Sequence, residues 1–116
     1  MRTAILFLLT AALALAADVT GKWRFEVETS AGSGSPTFDL KQDGEKLTGT
    51  YSGALGEANV TGTVKGDDVE ITFEASPTGE KVVVKYTGKL DGADKIKGTV
   101  DLGGLAKGTF TGEKQK

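Results

Sequence analysis

The chain has 116 residues, with 14 Lys and Arg against 16 Asp and Glu, giving a formal net charge of −2. It has no His and no Cys, so it lacks the base that titrates near neutral pH, the thiol nucleophile, two common transition-metal ligands and any disulfide. The mixed, mildly acidic charge excludes the basic footprint of a nucleic-acid binder.

The first 17 residues, MRTAILFLLTAALALAA, place Arg2 ahead of an apolar stretch that ends in the small residues Ala14, Ala16 and Ala17. This pattern predicts a secretory signal peptide, residues 1–17, cut after Ala16 or Ala17. The stretch is shorter than the about 20 apolar residues a membrane span needs and stops against Asp18, so the mature chain is expected to be exported, secreted or periplasmic, with no membrane span. Residues 18–116 are enough for a single domain with one modest core.

The mature sequence reads as strands throughout. In GKWRFEVET, Trp23, Phe25 and Val27 alternate with charged residues, the period of a half-buried strand. After SAGSGSP, Ser30 to Pro36, a second strand carries Phe38 and Leu40; the Asp43-Gly44 pair then turns the chain into LTGTYSG. ANVTGTV, VEITFEA, KVVVKYTGKL, KIKGTVDL and AKGTFTGE follow, separated by short turns rich in Gly and Asp. The expected fold is all-β, an eight-stranded antiparallel up-and-down meander. Because every strand has one apolar face, closure into a small barrel gives those faces a common interior and removes both edges.

Five strands repeat a phrase with glycine between two mostly apolar residues: Gly49, Gly62, Gly88, Gly98 and Gly108 all fall on the inward parity. Glycine weakens a strand, so the repetition needs a geometric reason. The reading adopted is that sharp coiling of the strands lets an inward aromatic such as Trp23, Phe25 or Tyr51 rest on bare backbone, leaving a filled barrel; the alternative is that the glycines open a ligand cavity.

The motif GKW at Gly21 to Trp23 resembles the opening of calycin barrels, the lipocalins and avidins. The segment Thr37 to Ala58, TFDLKQDGEKLTGTYSGALGEA, is similar to the second and third strands of avidin-type barrels. The chain also resembles small exported β-barrel domains of bacteria whose function is unassigned. The avidin resemblance implies ligand-binding roles for Tyr51, which matches the tyrosine of LTGTY, and for Ser35, which lies near a serine position. Phe25 stands where that family has an asparagine, and Trp23 is the only tryptophan, so the aromatic walls and the donor that hold biotin are missing. The final-strand arginine that lipocalins stack across the tryptophan is also missing, and Lys107 or Lys114 is a weak substitute. Tyr51, Ser35, Trp23, Phe25 and Tyr86 are the candidate ligand residues, and biotin is not the expected ligand.

The chain offers no basis for a cofactor. Asp67 with Asp68, and Asp91 with Asp94, are too sparse for a dedicated cation loop and sit where turns favour aspartate. The outward T-x-T pairs, such as Thr48 with Thr50, are ordinary solvent-facing β-branched positions. The expectation is a non-catalytic binding or accessory module. Its partner, a protein, a glycan or a small apolar molecule, meets the barrel rim and loops. The alternatives are a carrier of a small apolar ligand inside the barrel and a purely structural envelope-associated domain.

Overall fold

The computed structural model describes residues 18–76 and 79–115; the expected signal peptide lies outside them. Nine strands run in chain order: β1 (Gly21–Thr29), β2 (Gly32–Gly34), β3 (Thr37–Asp43), β4 (Lys46–Gly53), β5 (Gly56–Lys65), β6 (Asp68–Ala75), β7 (Val82–Asp91), β8 (Lys95–Leu102) and β9 (Lys107–Lys114). No helix occurs among the described residues. All pairings are antiparallel: consecutive strands pair from β3 through to β9, β1 pairs with β3, and β1 closes the cycle by pairing with β9 from Trp23↔Lys114 to Thr29↔Gly108. The result is an eight-stranded barrel, with β2 as a ninth strand outside the closed cycle.

β2 is a ninth strand beside the eight expected. The segment Ser30 to Pro36 is not simply a flexible connection: its Gly32–Gly34 portion pairs with the end of β1 as Val27↔Gly34, Glu28↔Ser33 and Thr29↔Gly32. Pro36 then interrupts the run, and its carbonyl accepts a bond from Phe25 N at 2.9 Å, after which β3 takes over as the partner of β1. Proline has no amide to offer a ladder, which is why one continuous strand gives way to two pieces.

The tight turns follow their chemistry. Asp43↔Lys46 and Lys65↔Asp68 flank two-residue loops whose first positions, Gly44 and Gly66, have φ of 64° and 60°. The type II′ hairpin turn requires positive φ there, and glycine supplies it without steric cost.

The interior is filled across the middle of the barrel. Phe25, fully buried, stacks on Phe110 at 4.9 Å, tilts against Phe38 at 4.5 Å and meets Tyr86 edge-on at 5.5 Å. Tyr51 stacks on Phe73 at 4.3 Å, and Phe38 joins the two groups by an edge contact to Tyr51 at 5.3 Å. Aliphatic side chains such as Leu40, Leu47, Ile71, Ile96 and Val84 complete the core. Arg24 and Glu26 alternate outward from these rings and pair with each other at 3.0 Å, where water screens the interaction and it contributes little.

The inward glycines have a different neighbour from the one expected. A methyl group on Gly49, Gly62, Gly98 or Gly108 would overlap a backbone carbonyl oxygen of the adjacent strand, that of Asp39, Glu70, Thr87 or Glu28 respectively. The strands coil so strongly at these points that a neighbouring chain occupies the place of a side chain. An aromatic ring rests on glycine at Gly88 and Gly112, where an added methyl group would come within 2.9 Å of Phe110 Cζ and 2.6 Å of Phe25 Cε1 respectively.

Candidate functional site

The two ends of the barrel differ. At the end where β1 begins, Val19 is fully buried, its carbonyl accepts the indole N–H of Trp23 at 2.8 Å, and its amide donates to Gln42 Oε1 at 2.9 Å. Lys114 Nζ lies 5.8 Å from the centre of the Trp23 ring and donates to the Asp18 carbonyl at 3.0 Å. Of the two final-strand lysines, Lys114 therefore sits over the tryptophan, whereas Lys107 begins β9 at the opposite end of the barrel. Trp23 is sealed on all sides and closes this end.

The opposite end, where β1 finishes, contains a cavity of about 180 Å³ lined mostly by apolar groups, among them Val27, Pro36, Leu55 and Leu102. Its origin lies in β2. Gly34 is paired with the inward-facing Val27, so both point to the same face of the sheet, and a methyl group added at Gly34 would meet nothing within 4 Å. Gly32, two residues earlier, shares that face and likewise leaves it bare. The missing side chains at these alternate positions make the space.

Two phenols border the cavity. Tyr51 Oη accepts a bond from Leu55 N at 3.3 Å, which ties the β4–β5 turn over the opening. Tyr86 is 3 % exposed, and its hydroxyl has no hydrogen-bond partner among the described residues, yet no buried side-chain oxygen or nitrogen is left unsatisfied. Its oxygen therefore keeps access to the space beside it. Burial pushes the Tyr86 phenol well above its ordinary range, with the neighbouring Tyr51 adding to the effect; burial also raises Tyr51, partly offset by the Leu55 amide. Both phenols thus remain neutral donors at physiological pH.

The five candidate residues divide between different places. Tyr51 and Tyr86 border this cavity, Phe25 lies in the aromatic core, and Trp23 closes the far end. The Ser35 hydroxyl is on the exterior, donating to Glu26 Oε1 at 2.8 Å, and is not brought beside Tyr51 as an avidin-type site would require. Sequence reasoning missed Val27, Gly34, Leu55 and Leu102 as lining residues. The signal was present in GSG, Gly32 to Gly34, whose glycines alternate with the period of a strand.

No family model matches the sequence, and no curated protein matches it. Solved structures do match. A redesigned β-barrel, mFAP1, bound to DFHBI, superposes with a TM-score of 0.66 over 83% of this chain and 94% of that one, at 13% identity. A second redesigned barrel, mFAP0, bound to DFHBI, gives a TM-score of 0.61 over 83% and 98% of the two chains, at 15% identity. At such low identity the likeness establishes the fold alone, a small closed antiparallel barrel.

Proposed function

We propose that the protein is an exported, non-catalytic binding module that holds a small, neutral, single-ring ligand in the cavity between β1–β2 and the β4–β5 turn. The observation that carries this reading is the Tyr86 hydroxyl, neutral, without a hydrogen-bond partner among the described residues and open to an apolar space. A phenol that faces an apolar space gains about 0.5–1.5 kcal/mol net when a neutral ligand acceptor reaches it. The volume sets the ligand size: an engineered apolar cavity of about 150 Å³ holds benzene. No charged side chain lines the space, so an anion has nothing to offset its loss of hydration. The two comparison barrels, which hold DFHBI, support the idea that this architecture accommodates a small molecule. The absence of His and Cys supports a role without catalysis, and the leader sequence supports export.

Acetophenone, toluene and benzoate separate the parts of this reading, with binding followed by amide shifts of Gly34 and Leu55 in the mature protein. Acetophenone should bind most tightly, toluene more weakly and benzoate not at all. Tyr86→Phe should remove the ketone's advantage, a loss of about 3–10-fold for one neutral hydrogen bond, while leaving toluene unchanged. Gly34→Leu should fill the cavity and abolish both. Undiminished binding to a folded Gly34→Leu protein would show that the site lies elsewhere. Mass measurement of the exported chain should give a mature start after Ala16 or Ala17.

A further inference from the structure

The barrel wall is open along part of one seam. The β5–β6 ladder runs from Lys65↔Asp68 to Thr61↔Thr72 and stops there, although β5 continues to Gly56 on β4 and β6 continues to Ala75 on β7. Hydrogen bonds at the far end of these strands fix which main-chain groups face the gap. Val64 N donates to Glu45 O, on the β4 side, so the even residues of β5 face β4 and Glu57, Asn59 and Thr61 face β6. Leu90 N donates to Asp67 O, so the odd residues of β6 face β7 and Thr72 and Glu74 face β5. The Thr72 hydroxyl donates to the Thr61 carbonyl at 3.3 Å where the ladder ends. Beyond it, the amides and carbonyls of Glu57, Asn59 and Glu74 face one another with no ladder between them. A surface groove of about 550 Å³ lies along this stretch, lined by those three residues with Ala58, Phe73 and Val83 among others.

We propose that this seam accepts an extended peptide from a partner protein by strand addition, with basic and apolar residues alternating along it. Donors and acceptors at strand spacing are satisfied by another extended main chain, which is how exposed sheet edges recruit a partner strand. The side chains follow from the pleat. One face of an added strand points inward toward Ala58 and Phe73 and calls for apolar residues. The other points outward between Glu57 and Glu74, both exposed, and the groove lining includes no cation. Lys81 pairs with Glu74 at 3.5 Å from outside the groove, whereas Glu57 has no ion-pair partner among the described residues. The 53 % exposed Val83, paired with Glu74 across the β6–β7 ladder, lies on that same outward face, where it can pack on the aliphatic stem of a lysine. This surface is separate from the Tyr86 cavity and stands or falls independently of it.

Amide hydrogen exchange on the whole mature protein tests the seam, using a blocked hexapeptide of alternating lysine and valine as probe. In the free protein the amides of Asn59 and Glu74 should exchange at least tenfold faster than those of Val60 and Phe73, which face intact ladders. The peptide should slow exchange at Glu57, Asn59 and Glu74 at least tenfold, whereas the same peptide N-methylated at alternate amides should not. A glutamate–valine peptide should fail on the wild type and bind the E57K/E74K variant. The proposal is overturned if the free seam amides are already protected, or if the methylated and unmethylated peptides act alike. Protection that rises with protein concentration alone would make a second copy of this chain the occupant and would also overturn it. These three readouts use the wild-type chain, so the test survives a variant that fails to fold.

Discussion

The two tyrosines show how position within the barrel assigns different roles to one residue type. Tyr51 is committed, its oxygen holding the Leu55 amide and its ring stacked on Phe73. Tyr86 touches Phe25, Phe38, Phe73 and Phe110 with its ring while its hydroxyl remains unbonded. Burial raises both phenols, and the sign of the linkage follows. The unfolded chain releases phenolic protons near pH 10, the folded chain only above it. The contribution of these groups is therefore fully present below pH 10 and is lost as pH rises through the folded values. Tyrosinate absorbance should appear together with loss of the β-sheet dichroism; a gradual rise centred on pH 10 with the fold intact would place the phenols in water. Phe25 touches four other rings, so Phe25→Ala should cost about 3–5 kcal/mol in denaturant unfolding. An unchanged midpoint would contradict the observed packing.

Among the elements, the glycine-bearing strands separate two uses of the same residue. At Gly49, Gly62 and Gly98 a neighbouring carbonyl fills the side-chain position, so alanine must push two strands apart, with an expected loss of about 1–3 kcal/mol at each site. At Gly34 the position is empty, and alanine should be neutral or stabilising by about 0.4–1 kcal/mol through the reduced entropy of the unfolded chain. Thermal unfolding of the four variants checks the contrast. Alanine tolerance at Gly49 consequently reports on strand coiling and says nothing of whether the interior is hollow, since the clash is with backbone. The strands and their faces were legible because alternation such as Trp23, Phe25, Val27 is a local signal, and β1 and β8 match their predicted bounds. The cavity was harder to read. It depends on Gly34 lying opposite Val27, a pairing that Ser-Gly-rich composition disguises as a loop. The open seam has no local signal, because β5 and β6 each alternate regularly beyond the point where their ladder ends.

At the scale of the whole molecule, closure rests on β1 and β9, the two long strands at opposite ends of the domain. Every other pairing in the eight-strand cycle joins chain neighbours through a connection short enough to hold the strands together even when the ladder weakens. The β1–β9 seam has no such tether, so its closure carries the largest loop entropy and exposes two edges if it fails. Gly62 and Gly108 make this testable, because each places a carbonyl oxygen where a methyl group would go, Glu70 O within the β5–β6 hairpin and Glu28 O across β1–β9. Gly62→Ala should destabilise the protein yet leave it monomeric, since the hairpin turn keeps the strands in register. Gly108→Ala, with Thr29 Cα also 2.6 Å from the added carbon, should part the closing seam and expose the inner rings along with the edges of β1 and β9. Such edges pair with other copies, so this variant should bind an apolar dye and sediment as species that grow with protein concentration. If both variants lose similar stability and neither associates, closure at β1–β9 is no more vulnerable than a local hairpin, and the topological argument fails.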